Sequence, residues 1–343
     1  MFTLVLLFLA LAAVIIIAAM QLAKRADRIA EQTGMGRNVA GLVLLAGATS
    51  LPEFSVGFSA VRMERYDLTA GDVLGSSLIN LLILAVLDLV SRTPGRLLNR
   101  TAAAHALSST VACLLTGLVA LGMLLDSQQT ILRLGPISWC VLGTYMFCAR
   151  LLFLDHKTSE AADQRRAERQ HSPQEEPGEN DATKQVHGPL WQSILGFAVA
   201  AAVIFFAAPQ LADTAAELAE KTGLGYTFFG TVFVALMTSL PEAISTFTAL
   251  RLGTTDMAVG NILGSNAFNM VILALTDVAT DNPVLSQVSD THLLTAVCVI
   301  ITTAVATLSL LYRAEKRLWI IEPDAALVAL LVCASLYLVY INR

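Results

Sequence analysis

ATSLPE at residues 48–53 returns as MTSLPE at 237–242, and GDVLGSSLIN at 71–80 returns as GNILGSNAFN at 260–269, each 189 positions on. Working outward, the same offset pairs Gln21 with Gln210, Glu31 with Glu220, Gly34 with Gly223, Gly41 with Gly230, Arg62 with Arg251, Asp67 with Asp256 and Asp88 with Asp277. Apolar composition alone does not hold polar residues and glycines in register over such a stretch without a gap. The chain is an internal duplication, which has to be read before any single element.

Of the 343 residues 55% are hydrophobic and 14% charged, against about 25% charged in a typical soluble domain. Lipid must therefore cover most of the chain. A helix needs about 20 apolar residues to cross the hydrocarbon, and ten stretches qualify: 2–20, 38–61, 69–90, 102–125, 132–154, 190–210, 225–249, 257–278, 291–312 and 324–341. The expected fold class is an all-α membrane protein of about ten transmembrane helices in two inverted five-helix repeats. The expected domains are a first membrane repeat at 1–154, a connector at 155–189, and a second, inverted repeat at 190–343. The first span is expected to remain as a helix, because Lys24, Arg25 and Arg28 follow rather than precede it. The connector is charged and has little to bury, and its first part has the composition of a short surface helix.

An odd number of spans per half makes the second copy enter from the other side. With both termini outside and the connector inside, all but Arg62, Arg65, Arg133, Lys221 and Arg343 of the 22 Lys and Arg fall on the cytoplasmic face, as the positive-inside rule requires. The five cysteines lie in apolar spans with no CxxC spacing, so neither disulfides nor a thiolate metal site is expected. A net charge of −5 without a basic patch gives no nucleic-acid footprint. The partners expected are the bilayer and small cations; whether an obligate protein partner exists is not legible.

Pro52 and Pro241 remove a backbone donor and should break spans 2 and 7 near mid-membrane. Broken helices are tolerated in lipid where the freed groups meet polar partners or a water-lined cavity. Each proline puts a glutamate, Glu53 or Glu242, in the first turn of the continuing half-helix. An unpaired carboxylate at that depth takes up a proton, whereas two facing carboxylates invite a divalent cation. The nearest arginines, Arg62 and Arg251, are nine residues on and should lie at the membrane edge. Thr49 with Glu53 and Thr238 with Glu242 share i, i+4 spacing, as do Ser76 with Asn80 and Ser265 with Asn269. Gly71 with Gly75 and Gly260 with Gly264 form GxxxG pairs suited to close helix packing. Such oxygens suit hard cations, calcium or sodium. The five histidines, His105 among them, lie away from this depth and are expected at solvent or interface positions.

The paired segments ATSLPE and MTSLPE, each followed by GxxxGSxxxN, resemble the two alpha repeats of the cation/calcium exchanger superfamily, which includes sodium/calcium and proton/calcium antiporters. The resemblance implies alternating-access antiport in a plasma (inner) membrane, with calcium held by Glu53 and Glu242 and by backbone carbonyls at or near Thr49 and Thr238. It places sodium at Ser50, Ser76, Ser239 and Ser265, with Asn80 and Asn269 at the central polar position. Two departures stand out. Asn269 occupies a position where sodium/calcium exchangers often have aspartate, leaving two central carboxylates, enough to neutralise one calcium ion but less favourable for three sodium ions. Asp72 stands where the other half has Asn261, and reads either as a helix-start cap or as an auxiliary proton or cation site.

The function expected is calcium exchange for sodium; the alternative is calcium exchange for protons, with glutamates at low dielectric releasing calcium as they take up protons. A cation channel of the same composition is a third reading, and would show flux far exceeding any counter-ion coupling. No histidine accompanies Ser239 and Glu242, so no catalytic chemistry is expected, and no cofactor beyond the transported ions.

Overall fold

The computed structural model describes residues 1–90, 102–170, 189–222, 236–312 and 323–341. Among them every long element is a helix: α1 Phe2–Thr33, α2 Arg37–Thr49, α3 Leu51–Arg62, α4 Tyr66–Val90, α5 Ala102–Leu125, α6 Pro136–Gln170, α7 Leu190–Lys221, α8 Leu240–Arg251, α9 Thr255–Leu275, α10 Thr291–Tyr312 and α11 Pro323–Ile341. Seven of these are long and apolar enough to cross a bilayer, α2 and α3 form one further span bent by 44°, and Ala325–Ile341 is a shorter apolar helix. The repeat survives in the helix starts: Leu51 and Leu240, Tyr66 and Thr255, Ala102 and Thr291 keep the 189-residue offset. The first part of the expected seventh span, 225–235, lies outside the described residues.

The sequence places the boundary of the first repeat at 154, yet α6 continues without interruption to Gln170. Ala, Glu, Arg and Gln dominate that continuation and are good helix formers, so propensity carries the helix past the apolar span. The rest of the connector, 171–188, lies outside the described residues.

The first helices of the two halves pack on each other through small residues. Ala18, Ala19, Leu22, Ala23 and Ala26 of α1 meet Ala200, Ile204, Ala208 and Leu211 of α7. Small side chains let backbones approach, which is how helices gain contact in lipid, where no hydrophobic force drives them together. At the centre lies α9, buried along 89% of its most apolar window, whereas α1 is buried along 22% of its own and faces outward. Its Gly260 and Gly264 face α2 rather than one another. A Cβ on Gly264 would stand 2.5 Å from Leu42 O, and one on Gly41 would stand 2.4 Å from Met257 O. Against this contact α2 widens into a π-turn at Ala40–Leu45. Such turns are rare and recur at functional sites.

Asp277 fixes the far end of α9: fully buried, it accepts from Gly135 N at 2.8 Å and Val284 N at 2.7 Å, tying the turn before α6 to the turn after α9. Arg62 and Arg251 end their helices over Phe58 and Phe247, at 5.7 and 5.0 Å from the ring centroids. His105 differs from the sequence reading of a solvent or interface position, whereas His292 at the start of α10 fits it. His105 is 1% exposed and within 3.1 Å of Asp256, and His292 is within 3.2 Å of Asp67. Both aspartates occupy one repeat position at the start of α4 or α9, so an acid there gathers a histidine from the neighbouring helix at each end of the molecule.

Candidate ion-binding site

The α2–α3 break sets the site. Ser50 leaves helical geometry at φ −86°, ψ 8°, and Ser239 takes the same turn at φ −83°, ψ 9° ahead of α8. Pro52 has no N–H to give the carbonyl four residues back, and the Glu53 N–H turns to its own carboxylate. The carbonyls of Ala48 and Thr49 thereby lose their helical donors. Glu242 likewise takes its own N–H, and Pro241 before it has none to give the carbonyl of Met237.

Glu53 and Glu242 are 2% and 1% exposed. Each receives one long hydroxyl contact and keeps one buried oxygen without a partner. Ser76 Oγ donates to Glu53 Oε1 at 3.3 Å and Ser50 Oγ to Glu242 Oε1 at 3.4 Å, while both Oε2 atoms stand alone. Ser76 Oγ is also 3.4 Å from Ser239 Oγ, and Thr49 Oγ1 is 3.5 Å from Ser265 Oγ. Thr49 and Ser50 both stand beside Glu242. The break thus turns the Thr49 hydroxyl away from the Glu53 face that its i, i+4 spacing suggested and toward the other half. Thr238 is buried next to Ser239.

Asn80 and Asn269 lie one helical turn beyond Ser76 and Ser265. Asn80 Nδ2 donates to Asn266 Oδ1 at 3.1 Å, and Asn269 Nδ2 to Val73 O and Ser77 Oγ, both at 3.3 Å. The Oδ1 atoms of both are buried without partners. Ser77 and Asn266, absent from the sequence-derived set, share one repeat position; a search for identical pairs passes over them because their side chains differ. Asp72 lies in the second turn of α4, six residues past its start, so the helix-start cap reading is corrected. Its Oδ2 is also buried and unpartnered. Asn261, its counterpart, donates to Ser245 Oγ at 3.0 Å and Thr246 Oγ1 at 2.8 Å. The repeat puts Val56 and Gly57 at those two places on α3, with no hydroxyl to offer Asp72.

The charged neighbours of Glu53 are acidic, Glu242 and Asp72. Hydroxyl to carboxylate distances of 3.3–3.4 Å are long for O–H···O⁻ bonds, which are typically about 2.5–2.7 Å. They match the spacing of neighbouring oxygens around one hard cation: ligands at about 2.4 Å, separated by roughly 80–90°, stand about 3.1–3.4 Å apart. Among the described residues no group of three or more His, Cys, Asp or Glu is placed to hold a metal. What converges instead is two carboxylates, hydroxyls, amides and released carbonyls.

This fold and this oxygen-lined centre are those of a multi-pass membrane ion transporter, not of an enzyme. The sequence profile of the family described as sodium/calcium exchanger protein matches residues 3–154 and 192–342, and the chain belongs to that family. It is 29% identical over 244 residues to the inner membrane protein YrbG of Escherichia coli (strain K12), covering 68% of this chain and 67% of that one. It is 25% identical over 267 residues to the sodium/calcium exchanger MaX1 of Methanosarcina acetivorans, covering 73% and 75%. A solved structure of the sodium-calcium exchanger NCX_Mj, soaked with sodium and strontium, superposes with a TM-score of 0.66 at 16% identity, over 98% of each chain. That likeness establishes an all-α membrane fold of two inverted repeats.

Proposed function

We propose that this protein exchanges calcium for sodium by alternating access, with calcium held between Glu53 and Glu242. The observation that carries the reading is the pair itself. Two buried carboxylates follow matching turns at Ser50 and Ser239 in opposite halves, each with an unpartnered oxygen, and their summed charge balances that of one calcium ion. Thr49 and Thr238 add backbone carbonyls. Ser50, Ser76, Ser239, Ser265, Asn80 and Asn269 supply neutral oxygens for sodium. A site between inverted repeats, built on interrupted helices, is the arrangement that alternating access uses.

The same reading completes the architecture. It has ten spans, five in 1–154 and five in 190–343, with span 7 broken as span 2 is. Both termini lie outside, 155–189 lies on the cytoplasmic side, and the plasma or inner membrane is the location. The basic residues that the positive-inside rule counts support this sidedness.

Calcium exchange for protons is the second reading, favoured by the buried, unpartnered Asp72 oxygen. Reconstituted vesicles with a clamped voltage separate the two. Calcium uptake that follows an outward sodium gradient at fixed pH, and ceases when potassium or choline replaces sodium, supports sodium coupling. Uptake that needs no sodium and collapses with the pH gradient overturns it, and flux uncoupled from either gradient indicates a channel.

A further inference from the structure

Asn80 and Asn269 each present an amide whose oxygen and nitrogen have similar shape, so the direction each one faces is decided by its partners. Backbone carbonyls only accept. Asn266 Nδ2 donates to Ser77 O at 3.1 Å. Its Oδ1 is thereby left to accept from Asn80 Nδ2 at 3.1 Å, and the free end of Asn80 is Oδ1. On the other side Ser77 Oγ donates to Val73 O at 3.0 Å, which leaves Ser77 Oγ to accept from Asn269 Nδ2. The free end of Asn269 is again Oδ1. Both chains of bonds start on a carbonyl of α4 and end on an unpartnered amide oxygen, and all four side chains are 0–1% exposed.

We infer that Asn266 and Ser77 are positioning residues that turn the amide oxygens of Asn80 and Asn269 toward the transported cation; the inference rests on the central site proposed above. The repeat gives them one position and unequal roles. Among the described residues Asn266 alone accepts from the Asn80 amide nitrogen, whereas Ser77 shares Asn269 with Val73 O. Without Asn266, the Asn80 amide rotates freely and offers nitrogen as readily as oxygen. Without Ser77, Asn269 remains fixed by the backbone. The two amides thus act as oxygen ligands because of a polar pair between α4 and α9 that itself touches no ion.

The test is a calcium titration of the purified full-length chain. Asn266→Ala should weaken calcium binding about tenfold, the worth of one misdirected oxygen ligand, and Ser77→Ala no more than about threefold. In an Asn80→Ala background the Asn266→Ala loss should vanish, since a residue acting through Asn80 has nothing left to orient. A merely structural role would not produce that cancellation. If Asn266→Ala does not fold, Asn266→Leu, which keeps the side-chain volume and removes both polar ends, gives the same cycle alone and with Asn80→Ala. Binding by Asn266→Ala within twofold of wild type, or losses that add in full, overturns the inference. A wild-type chain that binds no calcium sinks the central site and this inference with it.

Discussion

Gly264→Ala tests whether the backbone contact between α9 and α2 holds the site together. The new Cβ would stand 2.5 Å from Leu42 O, 2.6 Å from Leu42 Cα and 2.9 Å from Ala46 Cβ. Ordinary contact starts at 3.4 Å, so the helices must part by about 0.9 Å against backbone atoms that cannot rotate away. Overpacking of this kind costs about 1–3 kcal/mol. The next residue, Ser265, faces Thr49 at 3.5 Å, and the same displacement takes that pair out of the spacing one cation can bridge. We expect melting to fall by a few degrees and calcium affinity by about tenfold. Gly117→Ala, on α5 with nothing within 4 Å of its Cβ, should be neutral or stabilising by up to about 1 kcal/mol. The assay is fluorescence-detected thermal unfolding with and without calcium. If Gly264→Ala melts and binds as wild type, the account of how α2 is held against α9 is wrong.

Three further outcomes follow from particular contacts. Asp277→Ala strands two buried backbone donors, Gly135 N and Val284 N; melting should drop by the equivalent of about 2–5 kcal/mol while calcium affinity changes less than twofold, and an unchanged melting curve would deny the staple. Asp72→Asn should lower apparent affinity for external calcium by on the order of a hundredfold, the effect of a unit charge about two turns from a divalent ion at an effective dielectric near 20. If it instead abolishes a proton dependence of flux, Asp72 is a proton-coupled group. Membrane-impermeant labelling of single cysteines placed in 171–188 should fail from outside intact cells, and efficient labelling would reverse the assigned orientation.

The break and the paired glutamates were legible because proline acts locally and duplication repeats the mark. Thr-Ser-Leu-Pro-Glu carries its own backbone consequence, and its second copy names the partner. Position 77/266 escaped because function there rests on complementary residues, a serine and an asparagine, rather than identical ones. The π-turn at Ala40–Leu45 has no local signature, since it is matched to the glycine face of a helix from the other half. Thr49 shares helical spacing with Glu53 only if no kink intervenes, and the turn at Ser50 displaces its hydroxyl toward Glu242 and Ser265. α6 runs through to Gln170, so the helix expected in the first part of the connector continues the fifth span without a break. His105 looked like an interface group because the Asp256 that meets it is distant in sequence.

The central claim, one calcium ion shared by Glu53 and Glu242, is tested most directly by equilibrium binding of radioactive calcium to the purified protein. Removing one partner of a buried charge cluster costs about 3–5 kcal/mol, two to four orders of magnitude in affinity. The account predicts one calcium per wild-type chain, displaced by sodium, and none at the same concentration in Glu53→Gln, Glu242→Gln or the double variant, all folded. Calcium bound at unchanged affinity and stoichiometry by the folded double variant would contradict it.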